Sequence, residues 1–184
     1  VCMPASAVQT PEHLHGQEGL LFEDDSRSRL TREASWDVPE AASKSWQNFK
    51  SSSAIAPGFA ENSSAWRALW DHGTAVPTRI FGKGIFAPGS MDSEAIAQRA
   101  AEAFLAEHID LLAPGASFKD FKLVSNHLGQ NIRTLGYIQY KDGLEVLGGQ
   151  VSFRFKNDRL FVIGSEALPH VTVADVRQTI SESK

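Results

Sequence analysis

Residues 133–169 read RTLGYIQYKDGLEVLGGQVSFRFKNDRLFVIGSEALP. The stretch resolves into three strand-like runs separated by two turn signals. Residues 132–141 form the first run. Asp142-Gly143 follows, and because both residues tolerate positive φ the pair predicts a tight hairpin. The second run covers residues 144–156. In its second half Val151, Phe153 and Phe155 alternate with Gln150, Ser152, Arg154 and Lys156, the pattern of a strand with one apolar and one polar face. Gly148-Gly149 inside this run predicts a bulge that resets the register. Asn157-Asp158 is a second tight turn. With those two residues as the loop, Phe155 lies opposite Leu160 and Phe153 opposite Val162. That register gives one continuous apolar surface. Phe161 and Ile163 then fall on the other face, which predicts that this face too is partly covered.

Upstream, residues 121–128 read as another strand, with Gly129-Gln130-Asn131 as its turn. Residues 92–112 carry the strongest helical pattern. Ile96, Ala100, Phe104 and Leu111 mark one stripe, widened by Ala97, Ala101, Leu105, Ile109 and Leu112. Ser90 or Asp92 is placed to cap this helix, Glu94 favours its positive end, and Pro114-Gly115 ends it. A leading hairpin is expected before it. Trp66, Ala68 and Trp70 alternate with Arg67 and Leu69. Asp71-His72-Gly73-Thr74 turns the chain, with Gly73 able to take a positive φ, and residues 76–81 return. Pro77 has no N–H to donate, which predicts an edge there. Gly82, Gly84, Pro88 and Gly89 are read as the loop ending that strand.

The first 62 residues have a weaker pattern. They hold a charge-mixed run from Phe22 to Arg29 and a Ser/Ala/Gly/Pro-rich tract over residues 51–64, and such segments bury too little apolar surface to offset ordering entropy. Trp36, Trp46, Phe49 and Phe59 are expected to pin this arm to the domain, with a short helix over residues 41–49. Ala5-Ser6-Ala7 has the small-x-small shape of a signal-peptidase site, which would make residues 1–7 a signal-peptide remnant. Three small residues by chance fit equally well. Cys2 is the only cysteine, so no disulfide forms within the chain. Thr172 to Asp175 looks like a capping box opening a helix through Val176 and Ile180. The organisation expected is an arm over 1–62, an α+β domain over 63–170, and the start of a second module over 171–184. The fold class expected is α+β: an antiparallel sheet packed on one main helix, with a poorly structured N-terminal arm.

Composition bounds the function. The chain has 184 residues and a formal net charge of −4. That balance does not suit a nucleic-acid surface or a polybasic membrane patch. No apolar run approaches the roughly 18 residues of a transmembrane helix. A zinc peptidase needs H-E-x-x-H, and none of the six histidines fits it. Glu107-His108 is followed by Asp110 and Leu111, so His108 is read as a helix-surface residue. Glu12-His13-Leu14-His15 is read as a polar tail. There is no Gly-x-Ser-x-Gly elbow. Gly82-Lys83-Gly84 lacks the Ser or Thr of a P-loop. Tyr137, Tyr140, Phe153 and Phe155 are read as core packing and not as a base-stacking platform. No catalytic, cofactor-binding or metal-binding residue is expected in this segment.

One ordered set of motifs remains. It runs Tyr137-Ile138-Gln139-Tyr140-Lys141-Asp142-Gly143, then Val146-Leu147-Gly148-Gly149-Gln150-Val151. Upstream of it stand Ala100-Ala101-Glu102-Ala103-Phe104-Leu105 with Leu111-Leu112, and Trp66, Thr74, Pro77, Arg79 and Gly82. Over about residues 66–169 this set resembles the fungalysin/thermolysin propeptide module, which precedes the catalytic domain of secreted zinc metallopeptidases. In that family the segment after Pro169 usually opens a PepSY-type module. The resemblance makes Trp66, Phe104, Leu105, Gln139, Tyr140, Gly143, Gly148 and Gly149 structural motif residues. It implies a secreted prosegment that assists folding of its own peptidase domain, its partner in cis, and inhibits it until cleaved. Zinc and calcium would then belong only to that catalytic domain. A stand-alone secreted or surface binding module of the same fold is the alternative.

Overall fold

The structure, a computed structural model, describes residues 34–54 and 66–173. These lie in one compact unit, Glu33–Lys184. The class is α+β. Seven strands form one antiparallel sheet: β1 (Ala34–Ser35), β2 (Arg67–Asp71), β3 (Val76–Phe86), β4 (Phe121–Gly129), β5 (Ile132–Lys141), β6 (Leu144–Lys156) and β7 (Arg159–Ser165). Their spatial order is β1-β2-β3-β7-β6-β5-β4. The helices are α1 (Ser43–Ala54), α2 (Glu94–Glu107) and α3 (Ile109–Leu112).

The meander β4 to β7 follows the turn chemistry. Gln130 and Asn131, Asp142 and Gly143, and Asn157 and Asp158 all take positive φ, so three two-residue hairpins join four strands. Gly148 has φ 78 and lies where β6 carries extra residues. Ile138 pairs with Gln150 but Tyr140 with Glu145, so the ladder bulges between them. Asp158 also works outside its turn. Its Oδ1 accepts from the Met91 N–H at 3.0 Å, and its carbonyl accepts from the Ala87 N–H at 2.7 Å. The β6–β7 tip thereby holds the loop leading into α2. Backbone donation from Met91 and then Gly89 lowers the Asp158 pKa.

The core lies between one sheet face and the helices. It joins Ala68, Trp70, Ile80, Leu135, Tyr137, Val151, Phe153, Phe155, Leu160 and Ile163 from the sheet to Ala97, Ala101, Phe104 and Leu105 from α2. Alanines at 97 and 101 let α2 approach closely. Phe104 meets Phe153 edge-on at 5.9 Å. From α1, Phe49 is fully buried and stacks on Trp46 at 5.2 Å, and Trp46 meets Trp70 at 5.6 Å.

Several expectations are corrected. The helical pattern over 92–112 is two helices, broken at His108 (φ −115, ψ 27), where the ring turns in against Phe104 and Phe49. The cap is Ser93, whose Oγ accepts from the Ile96 N–H, and not Ser90 or Asp92. With α1 of 12 residues beside α2 of 14, the helical layer is more than one main helix. Residues 34–54 are folded into the sheet and core and are not a weakly structured arm, because Trp46 and Phe49 bury enough area to order them. Their helix extends past residue 49 to Ala54. Phe153 pairs with Ile163 and not Val162. β7 bulges at Phe161, so Ile163 is fully buried on the core face while Val162 sits opposite Arg154 on the other. Gly82 and Gly84 do not end β3 but lie within it, between Phe81 and Ile85 where the register shifts. Gly84 has φ 85, and a Cβ there would meet Arg159 Cβ at 2.9 Å. In the first turn positive φ falls on Ala75, and Asp71 Oδ1 accepts from the Gly73 N–H at 2.8 Å. β3 is an interior strand, but its ladder to β7 begins at Ile80, so Pro77 lies beyond it and displaces no bond there. Phe59, the terminal motifs of residues 1–29 and the helix from Thr172 through Ile180 lie wholly or largely outside the described residues.

Phe104 is 6% exposed. Phe104→Asp should abolish cooperative thermal unfolding, since even truncation to Ala at such a site costs about 3–5 kcal/mol. Circular dichroism melting checks it, and a Tm equal to that of the parent chain would refute the burial assignment.

Candidate functional site

The inward positions of β5 are Arg133, Leu135, Tyr137 and Gln139, all buried. Two of the four are strongly polar, and each ties the sheet to another segment. The Arg133 guanidinium donates to Asn126 Oδ1 at 3.0 Å and to the Met91 carbonyl at 2.9 Å, with Glu94 3.9 Å away. It fixes the start of α2. Gln139 does the same for the segment that follows β7. Its Oε1 accepts from the Leu168 N–H at 2.9 Å and its Nε2 donates to the Leu168 carbonyl at 3.0 Å. A buried amide thus pairs with both backbone groups of one residue, as a neighbouring strand would.

Gly149 makes room for this clamp. A Cβ at Gly149 would come within 2.7 Å of Gln139 Oε1 and 2.9 Å of Gln139 Cβ. Gly148 needs glycine for a different reason, its φ of 78, and nothing lies within 4 Å of where its Cβ would be. The clamp is one of several ties on residues 165–170, and Gln150 Nε2 also donates to Glu166 Oε2 at 2.6 Å. Ser165 Oγ donates to the Leu112 carbonyl at 2.6 Å and accepts from the Ala167 N–H at 3.2 Å. The Glu166 N–H donates to the Gln150 carbonyl at 2.8 Å. The His170 N–H donates to the Pro114 carbonyl at 2.8 Å. Residues 165–170 therefore leave the sheet as a strap held by β5, β6 and the end of α3.

The strap ends at a groove of about 690 Å³ lined by Lys44, Asn48, Thr74, His108, Asp110 and His170 among others. His108 sits on its wall with its side chain 10% exposed, against Phe104 at 4.6 Å and Phe49 at 5.3 Å. It is no helix-surface residue. Burial lowers its pKa, and the nearby Glu107 only partly offsets that. Glu107 Oε1 lies 3.8 Å from Nε2. Tyr137 is the other perturbed group. Burial first, and then the charge of Glu102, raise its phenol well above the ordinary range, so it remains a neutral core side chain. Among the described residues, no group of three or more His, Cys, Asp or Glu side chains could hold a metal ion.

Of the motif residues, the structure brings Gln139 and Gly149 into contact. Phe104 and Leu105 lie in the core, and Trp66 reaches it through Phe49 at 5.3 Å. Tyr140, unlike Tyr137, Phe153 and Phe155, is not core packing: it is half-buried on the outer face, because it alternates with the inward Gln139, and Lys122 Nζ lies 3.8 Å from its ring centre. Gly143 serves only its hairpin, with φ 85. Sequence reasoning missed Ser165, whose role depends on a carbonyl 53 positions away. It also missed the inward turn of His108. A polar residue sharing the alternate positions of Leu135 and Tyr137 on β5 is the signal that could have shown Arg133 and Gln139 to be inward.

No family model and no curated protein matches this chain. Among solved structures it is similar to the Bacillus megaterium YpeB C-terminal domain, with TM-score 0.40 and 10% identity, over 55% of this chain and 42% of that one. No helix among the described residues is long and apolar enough to cross a membrane.

Gln139→Ala should cost about 1–3 kcal/mol, because it removes the partner of both part-buried backbone groups of Leu168. Gly149→Ala should also destabilise, and the double variant should lose less than the two single losses added, as expected of groups in contact. Chemical denaturation checks both, and strict additivity would exclude the clamp. His108 gives a pH dependence. Its folded pKa lies below 6.5. Between that pKa and 6.5 the unfolded chain binds the extra proton, so stability is full above pH 6.5 and falls on acidification through the folded pKa. His108→Phe should flatten that slope in denaturation midpoints measured from pH 7.5 to 5, and an unchanged slope would show that other groups carry it.

Proposed function

We propose that this chain is the N-terminal prosegment of a secreted zinc metallopeptidase, assisting its folding and inhibiting it until cleaved. The reading rests on the ordered resemblance over residues 66–169 and on one structural observation. Gln139 and Gly149, two of the residues that carry the resemblance, form a single device, and what that device holds is Leu168. A prosegment has to present the following chain in a fixed direction relative to its own fold. A buried two-bond amide clamp, reinforced through Ser165 and His170, is a means of doing so. The inhibitory step would be steric, with the domain held over the catalytic cleft, and cleavage beyond the strap would release it. On this reading zinc, and calcium where present, belongs to the peptidase domain. The motif residues would then serve the fold and its exit segment, with no part in bond chemistry.

A second reading, a stand-alone secreted or surface binding module, is favoured by one observation. The outer face of the sheet carries exposed cations and half-buried apolar side chains together.

The test uses the purified chain and the mature peptidase encoded with it. Added in trans at micromolar concentration, the chain should raise the refolding yield of the denatured peptidase and inhibit the folded one. Gln139→Ala should weaken both effects while the variant stays folded. Absence of both effects, or a reading frame without H-E-x-x-H, would overturn the proposal.

A further inference from the structure

The outer face of the sheet differs in charge from the chain as a whole. The chain carries −4. On this face Arg79, Lys83 and Arg154 are exposed and line one concavity of about 560 Å³. Its floor is apolar, formed by the half-buried Phe81, Phe161 and Val162, and its lining includes no acidic residue; Glu166 lines the adjoining concavity with Arg79 and Arg154, where its Oε2 accepts from Gln150 Nε2 at 2.6 Å. The three cations make no ion pair among the described residues. Register explains the convergence. Arg154 pairs with Val162, and Val162 with Phe81, so cation and floor lie in one row across β6, β7 and β3. Thr134, the partner of Arg154 on β5, continues the row without charge.

We propose that this patch is a docking site for an acidic polypeptide segment carrying an apolar anchor. Charge complementarity selects the occupant. Two guanidiniums offer planar forks that match carboxylates, and Lys83 adds a point charge. The apolar floor calls for an aliphatic or aromatic side chain between the carboxylates, since burying it contributes in proportion to apolar area. A nucleic acid fits less well. Its long charged backbone would meet the chain's overall negative field, whereas a short acidic segment meets only the local patch. The site does not depend on the prosegment reading, because it requires neither inhibition nor an attached peptidase.

The experiment is a fluorescence anisotropy titration of the full chain with a labelled octapeptide of alternating Glu and Leu. The comparison probes are the same peptide with Lys for Glu, an oligothymidylate of equal charge, and vesicles containing phosphatidylserine. Saturable binding of the acidic peptide alone is expected. Arg79→Glu and Arg154→Glu should each weaken it by about tenfold, the scale of one charge-assisted hydrogen bond. Val162→Lys is the decisive variant. It adds positive charge but removes part of the floor, so binding should weaken here and would strengthen if simple electrostatics ruled. Arg99→Glu, on the exposed side of α2, should leave binding unchanged. Melting curves confirm that each variant is folded. No saturable binding, equal binding of oligothymidylate or vesicles, tighter binding by Val162→Lys, or an Arg99→Glu effect equal to that of Arg154→Glu would each overturn the proposal.

Discussion

The contact of Phe104 with Phe153 is the one on which the rest of the fold depends. An antiparallel sheet with one apolar face has to cover it, and α2 does so by crossing between β3 and the far edge, where β4 begins. That crossing dictates the strand order. The chain leaves the sheet after β3, passes under the inner face as α2 and α3, and re-enters at β4. The meander then runs back until β7 meets β3, and the hairpin β2–β3 is joined to the last strand and not to the next one. Phe104 also touches Phe49 at 5.9 Å, so the same ring recruits α1 into the core. Removing it would uncouple sheet, crossing helix and N-terminal helix together.

Bulges are the second constraint. Every ladder except the two-residue β1–β2 pair carries a register shift. Each shift adds residues to one strand, increases the local twist, and lets the sheet wrap the helices. Here sequence and structure part company most clearly. Gly148-Gly149 announces its bulge because one glycine takes positive φ and the other has no room for a side chain. Phe161 and Val124 announce nothing: each is an ordinary strand former, and only the ladder shows it to be an extra residue. The two-residue turns were readable because Asp-Gly and Asn-Asp tolerate positive φ. The helical stripe was readable too, but its break at His108 was not, since a histidine at that position is equally at home on a continuous helix.

The N-terminal helix and the strap show a different limit. In α1 only Trp46 and Phe49 are large and apolar, in a segment otherwise of Ser, Lys, Gln, Asn and a final Ala. Its order comes from tertiary burial, which periodicity alone does not register. The strap over residues 165–170 has no regular pattern of its own. Its ties run to Gln139, Leu112, Gln150 and Pro114, mostly through backbone groups, and a backbone acceptor leaves no mark in a sequence. Gln139 was visible as a motif residue, but its object was not.

The bulge at Phe161 links the core to the outer face. Had β7 continued in the simple register from the Asn157-Asp158 turn, Val162 would lie inward opposite Phe153, and Ile163 would face out. The extra residue reverses both. Ile163 completes the core beside Ile80 and Phe153, and Val162 moves beside Arg154 and Phe81. One inserted residue thus settles two surfaces, because the alternation of side chains across a strand couples them. The inner face gains the branched side chain that its packing uses, and the outer face gains an apolar floor between cations. An acidic partner would therefore be reading a feature that exists because the core demanded it. That gives the outer patch a physical cause within this fold, apart from any partner that uses it.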